Sequence, residues 1–455
     1  MLFLGSFKTK KALFHLFSIP SMTTTFTIQG GKKLSGSIPV RSSKNATMSI
    51  LCAAVLVQNS VRLEDVPDIQ EVKRMLELLQ SIGVSCVWKG PGILEIDSRQ
   101  PLKLSEMNQE ACTKTRSSLL LLGALAARAT SYKLYKTGGC KLGQRTVRPH
   151  LYALEKFGVS VVSKDLYYEV KNKPLKAQDI VMYESGDTPT ENAIMAAILA
   201  PGTTTIDFAS SNYMVQDLCY FLVAAGAKIE GIGTTTLTIT GVKKLHGVTY
   251  AIMPDPIIAM TWIALGITTK SPITITNCPL AFISLELEKL RIMGQQWSVH
   301  KKRQSKNTHF TIVDITLIPS DLKALPDKLY GRPFPGLNID NVPFFVSIAT
   351  QAKGRTLIHD WVYENRAIYY LELQKLGANM LLLDPHRVMV EGKTTLKANE
   401  LICPEAIRPA MMVLLCMIAA KGTSTLRHCY PIERGYEQLV TDLQHIGVRI
   451  EKTTD

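Results

Sequence analysis

One short pattern recurs six times along the chain: an amphipathic helix ending in apolar residues, then a glycine, then an apolar strand. The copies read LELLQSIGVSCVW, LYALEKFGVSVV, LCYFLVAAGAKIE, LEKLRIMGQQWSV, LELQKLGANMLLL and LVTDLQHIGVRIE. Their glycines, Gly83, Gly158, Gly226, Gly294, Gly377 and Gly447, recur at about seventy residues, the mark of a repeated supersecondary unit. Each stands where a helix should end in a left-handed cap. A second pattern interleaves with the first, in segments such as ENAIMAAILAPGTTTIDFAS and RPAMMVLLCMIAAKGTSTLRHC: a nearly all-apolar helix, a polar or glycine-bearing turn, and a β-branched strand. Helices apolar all round belong in an interior, whereas the first set, with one polar face, belongs outside or half exposed. The chain therefore reads as an α/β (α+β) protein of six β-α-β-α-type units, an inside-out α/β barrel in two lobes of three, with chemistry expected in the cleft between them.

Composition narrows the partners. Apolar residues at 46% and charged residues at 20% describe a soluble globular chain. Lysine and arginine exceed aspartate and glutamate by 52 − 38 = 14, which calls for an anionic partner. The basic residues are scattered and lack an aromatic-rich basic run, so a phosphorylated small molecule fits better than nucleic acid. Nine widely spaced cysteines, without a C-x-x-C pair or Cys/His cluster, argue against structural zinc and a disulfide framework, and for a reducing cytoplasm. Residues 1–22 read as a non-structural extension, with Met22 as an alternative start and a weak amphipathic targeting segment as the competing reading. No run approaches the length of a membrane helix.

Three stretches carry chemistry. Ser43-Lys44-Asn45-Ala46 precedes an all-apolar helix, where a lysine is ill placed for packing and well placed for an anion at a helix N-terminus. Arg116, in TKTRSS, begins the second buried helix in the same manner. Gly138-Gly139-Cys140, followed by Lys141, Gly143 and Arg145, sets a thiol on a glycine turn among cations, where a thiolate is favoured and the backbone can approach a substrate closely.

Six units in two lobes, S-K-N-A after the first strand and G-G-C-x-x-G-x-R in the second unit together resemble the enolpyruvyl transferase family, in particular its branch acting on UDP-N-acetylglucosamine. The resemblance runs from about Thr25 to the C-terminus. It implies that the chain crosses between lobes twice, so that residues 23–43 plus 253–455 form the C-terminal lobe and 44–252 the N-terminal lobe. It implies transfer of the enolpyruvyl group of phosphoenolpyruvate to a sugar hydroxyl by addition and elimination of phosphate, the first committed step of peptidoglycan precursor synthesis, with no metal and no organic cofactor. Cys140 would be the general acid on a lid, and the target of an epoxide phosphonate such as fosfomycin. Asp340, in PGLNIDNVP, would be the base at the acceptor hydroxyl. Lys44, Arg116, Arg145, Arg366 (in YENRAI), Arg408 (in AIRPAM) and Arg434 (in IERGYE) would cage the donor's anionic groups. Asn45 would contact the sugar, and Asp255, in MPDP, would support from behind.

The departures cluster at the nucleotide end. Gln70, Arg148, Asp187, Pro256 and Ala406 stand where the family pattern has a basic residue, an aspartate, a valine, an arginine and an aspartate. Arg148 reverses local charge and changes the hydrogen bonds open to a uracil. Three other readings stay open: a relative with a different sugar or nucleotide acceptor, a noncatalytic paralogue, and a nucleic-acid-binding protein on a similar scaffold.

Overall fold

The computed structural model describes residues 24–137 and 146–454. All six repeat glycines end their helices in the left-handed region, with φ from +86° at Gly377 to +100° at Gly226, a conformation a side chain resists. The helices they close span Gln70–Ser81, Arg148–Lys156, Tyr213–Ala224, Ser284–Ile292, Ala367–Leu376 and Leu439–His445. Two departures from the simple pattern occur. Ala367–Leu376 is a 3-10 helix, and Tyr213–Ala224, whose sequence YMVQDLCYFLVA is apolar on nearly every side, buries most of its length instead of half.

The interleaved helices are interior ones. They run Lys44–Ala54, Asp187–Ala197, Pro256–Thr268, Val342–Ala349 and Ile407–Ala419, with the second unit contributing a 3-10 turn, Arg116–Leu120, that continues as Leu121–Ala124. Every residue of Pro256–Thr268 is buried, as expected of a helix without a polar face. Close packing extends to the backbone: a Cβ on Gly123 would lie 2.4 Å from the Asn192 carbonyl oxygen on the neighbouring interior helix.

Six small sheets enclose these helices, five of four strands and one of three. In each, the strand after the interior helix lies antiparallel to a second strand, which carries a third antiparallel one. In the four-stranded sheets an edge strand joins in parallel, as Thr203–Asp207 pairs with Thr236–Thr240 and Asp179–Val181. The N-terminal strand Thr24–Gly30 sits between Gly422–Arg427 and Arg449–Thr454, so the first strand is built into the last sheet. Gly36–Pro39 joins Ile273–Pro279, whereas Val248–Ala251 joins Ser60–Glu64. The two connections between halves thus run side by side. They are bridged at Ser42 and Pro254, with Ser43 N donating to Met253 O at 2.8 Å and Asp255 N to Arg41 O at 2.9 Å.

Beside this crossing, Asn307, from the turn after strand Gln296–Gln304, donates to Asp217 Oδ1 at 3.0 Å and Ala251 O at 3.1 Å. Next to it the His309 ring stacks on Tyr220, 4.0 Å between centroids. Asp217 also accepts from Tyr250 Oη at 2.6 Å and from Met253 N at 3.2 Å. Burial nevertheless pushes its pKa up to about 7 against these three donors.

Candidate active site

All six interior helices present their N-terminal ends to one cavity of about 940 Å³, lined by Lys44, Arg116, Asp187, Ile257, Asp340 and Arg408 among others. The local sequence explains why each helix begins there. Ser43 caps the first, its Oγ accepting from Ala46 N at 3.2 Å. Asp255 caps the fourth, accepting from Ile257 N at 2.8 Å, with Pro256 in the first turn, where a missing N–H is harmless. Helix N-termini carry unsatisfied N–H groups and the positive end of the macrodipole, so their convergence makes the cavity receptive to anions.

Cations reinforce this at one end. Lys44 stands at the first position of its helix; burial pushes its pKa down, and Arg408 and Arg434 push the same way while Glu71 and Asp340 oppose. Arg408 is buried, with Nη1 donating to Tyr436 Oη at 3.1 Å. Burial works against its charge, yet Tyr436, Asp340 and Asp255 hold its pKa above the usual range. Arg434 Nε lies 3.0 Å from Glu71 Oε2 on helix Gln70–Ser81, an ion pair without hydrogen-bond alignment, since both atoms are buried and unbonded. Arg116, at the edge, donates to Thr146 O at 3.4 Å.

Asp340 lies between two of these cations, 3.6 Å from Arg366 Nη1 and 3.7 Å from Arg408 Nε. Its side chain is 26% exposed, enough to meet a ligand, and its position follows from the short 3-10 turn Ile339–Asn341, capped by Asn338. Arg366 departs from its expected place in an anion cage. It is buried against Asp360, with Nε to Oδ2 at 2.5 Å and Nη2 to Oδ1 at 2.8 Å, and it also donates to Ile339 O at 2.7 Å. The side chain therefore fixes the Asp340 turn and keeps one nitrogen toward the carboxylate.

Polar and acidic groups also line the cavity. Asn45 Nδ2 donates to Tyr213 Oη at 3.1 Å. Asp187 opens its helix and accepts from Ser210 Oγ at 2.6 Å and Asn212 Nδ2 at 3.1 Å. His150 is held with Nδ1 2.7 Å from Asn192 Nδ2, and burial, with Arg116 nearby, pushes its pKa down to about 3. Of the other departures, Ala406 and Pro256 sit at helix starts, Gln70 begins helix Gln70–Ser81, and Arg148 is exposed at the start of Arg148–Lys156.

The structure thus brings Lys44, Asn45, Arg116, Asp340, Arg366, Arg408 and Arg434 to one cavity, with Asp255 behind as a helix cap. Cys140 and Arg145 lie outside the described residues. The eight other cysteines are all buried. Sequence reading missed Asp360, Tyr436 and Glu71, the partners of the arginines. Tyr436 follows directly in the R-G-Y triplet, whereas nothing in IHDW distinguishes Asp360 from a loop aspartate. Among the described residues no cluster suited to a metal occurs and no helix is long and apolar enough to cross a membrane.

Comparison with known proteins agrees with this geometry. The family model described as EPSP synthase (3-phosphoshikimate 1-carboxyvinyltransferase) matches residues 28–443. UDP-N-acetylglucosamine 1-carboxyvinyltransferase of Bradyrhizobium diazoefficiens is 34% identical, covering 94% of this chain and 98% of its own. The enzyme of the same name from Treponema denticola is 35% identical with the same coverage. The crystal structure of the enolpyruvyl transferase NikO from Streptomyces tendae superposes with a TM-score of 0.82 at 25% identity, over 96% of this chain and all of that one. With a cleft of convergent helix ends and cations, and relatives of this similarity along nearly its whole length, the chain belongs to the EPSP synthase family of enolpyruvyl transferases.

Proposed function

We propose that the protein transfers the enolpyruvyl group of phosphoenolpyruvate to the 3-hydroxyl of UDP-N-acetylglucosamine, releasing phosphate, as a cytoplasmic step of peptidoglycan precursor synthesis. The observation that carries this reading is the meeting of Lys44, Arg408 and Arg434 with Asp340 in one cavity fed by six helix N-termini. A three-carbon donor bearing a phosphate and a carboxylate needs such a set of cations. Lys44, Arg116, Arg408 and Arg434, with Arg145, take those anionic groups. Asp340 takes the proton of the acceptor hydroxyl as its oxygen attacks C2 of phosphoenolpyruvate, while Cys140 delivers a proton to C3. Phosphate then leaves as a proton is lost from C3, restoring the double bond. Arg366 is a positioning residue for Asp340, and Asp255 supports by capping its helix. Burial raises the thiol pKa of Cys86 to about 12, which makes so deeply placed a thiol a poor proton donor and favours Cys140 as the acid. We place the lobe boundaries at the paired crossing, giving 44–252 and 23–43 plus 253–455.

Phosphate release from phosphoenolpyruvate, measured with UDP-N-acetylglucosamine, other UDP-sugars and bare nucleotides, tests the reading. Turnover with the first and loss of at least a hundredfold in kcat/KM on Lys44→Met support it; silence with every acceptor refutes it. A second reading, the same donor with a different acceptor, is favoured by one observation: a carboxylate, Asp187, lines the cavity at the start of an interior helix.

A further inference from the structure

Helix Asp187–Ala197 differs at its mouth from the first two interior helices. Lys44 and Arg116 place cations at the starts of the first and second, whereas this one begins with a carboxylate. Four residues on, and therefore on the same face, Glu191 also lines the cavity. Its side chain is 1% exposed and its Oε1 has no hydrogen-bond partner. A buried acceptor left in this condition is costly unless a ligand or solvent satisfies it. Asp187 accepts one bond at each oxygen, from Ser210 and Asn212, but a carboxylate has room for about four. Its surroundings fix its direction, because both donors come from the loop leading into helix Tyr213–Ala224, whose first residue Tyr213 holds Asn45.

Burial raises the pKa of Asp187, and Asp340 across the cavity adds to the shift. Burial likewise raises Glu191 well above the carboxylate range, with Asp187 contributing. The two carboxyl groups on one helix face and Asp340 therefore sense one another, and Asp340 is the group assigned to the acceptor hydroxyl. Asp187 lines the same cavity as Asp340.

We infer that Asp187, backed by Glu191, is a specificity-determining pair that receives two neighbouring hydroxyl donors from a sugar ring of the acceptor. The two carboxylate oxygens of Asp187, each holding one donor and with room for another, match a vicinal diol, whose two O–H groups can approach one carboxylate together. The inference rests on the enolpyruvyl-transfer reading for the identity of Asp340, but concerns binding rather than turnover.

Equilibrium titration of the full chain tests it, with UDP-N-acetylglucosamine, its C4 epimer UDP-N-acetylgalactosamine, uridine, 2′-deoxyuridine and 3′-deoxyuridine as probes against the parent, Asp187→Ala and Asp187→Asn. In the parent, loss or inversion of one hydroxyl within at least one probe pair should weaken binding at least tenfold. In Asp187→Ala the same edit should cost less than threefold, while phosphoenolpyruvate affinity stays within twofold and the circular-dichroism melt is retained. Asp187→Asn, keeping one acceptor oxygen, should fall between. Equal hydroxyl penalties in parent and Asp187→Ala overturn the assignment. Absence of phosphate release with every acceptor removes the transfer reading instead, and leaves the titrations able to decide the pair.

Discussion

Replacing Asp360 by asparagine should expose how the candidate base is held. The carboxylate and the Arg366 guanidinium are each 1% exposed, and they share two charge-assisted bonds at 2.5 Å and 2.8 Å, with Tyr370 Oη donating to the same carboxylate. Removing one partner of a buried pair leaves an uncompensated charge, at a cost of about 3–5 kcal/mol. An asparagine keeps one acceptor oxygen and turns an N–H₂ toward a donor, so the lower end, about 3 kcal/mol, applies. Among the described residues, the freed guanidinium has Asp340 at 3.6 Å as its remaining ion-pair partner. It should swing onto that carboxylate and lower kcat about tenfold or more through misplacement of the base. Urea unfolding followed by circular dichroism measures the stability term, and phosphate release the catalytic one. Asp360→Leu with Arg366→Met should recover most of the lost stability, because an apolar pair of similar volume replaces the ion pair, without recovering kcat. The reasoning is refuted if Asp360→Asn stays within about 1 kcal/mol of the parent, or if the double variant is no more stable than Asp360→Asn.

Three further outcomes follow from the same geometry. Gly123→Ala should destabilise by about 1–3 kcal/mol or more in a urea titration, since its Cβ would meet Asn192 O at 2.4 Å and Asn192 Oδ1 at 2.7 Å; an unchanged midpoint would contradict the packing of the two interior helices. Asp217, with its pKa raised from 3.8 to about 7, is disfavoured as an anion in the folded chain, so its contribution to stability is full below about pH 4 and lost as pH rises through about 7; Asp217→Asn should flatten this part of the unfolding-versus-pH curve, and an identical slope in both proteins would refute it. Cys140→Ser should reduce turnover by at least tenfold and block covalent labelling by fosfomycin, read by intact mass; a labelled serine variant would place the reactive thiol elsewhere.

The repeat made the fold legible because it is enforced by elementary constraints. A glycine every seventy or so residues, each at φ between +86° and +100°, marks where a helix must turn back, and apolar helices such as Pro256–Thr268 can lie only inside. The cations were legible for a related reason: lysine or arginine at the first turn of a buried helix has no packing role. What the sequence concealed was partnership. Asp360, Glu71 and Tyr436 pair with Arg366, Arg434 and Arg408 over distances in the chain that no local pattern encodes. Arg366 looked like an open anion ligand because its neighbours in YENRAI say nothing of a carboxylate folded over it from the end of strand Gly354–His359. The buried condition of Tyr213–Ala224 departs from the outer or half-exposed place expected of its set, and Asp217 points inward to Tyr250 and Asn307.

The two connections between halves run edge to edge, stitched at Ser42 and Pro254. Such a ribbon flexes readily perpendicular to its plane but resists shear and torsion, so the halves should open and shut along a single arc. Lys44 and Asp255 begin immediately beyond the stitch, on opposite sides of the fold line. An anion seated between them would sit almost on the axis, where a small rotation barely displaces it, while groups remote from the ribbon sweep the greatest path.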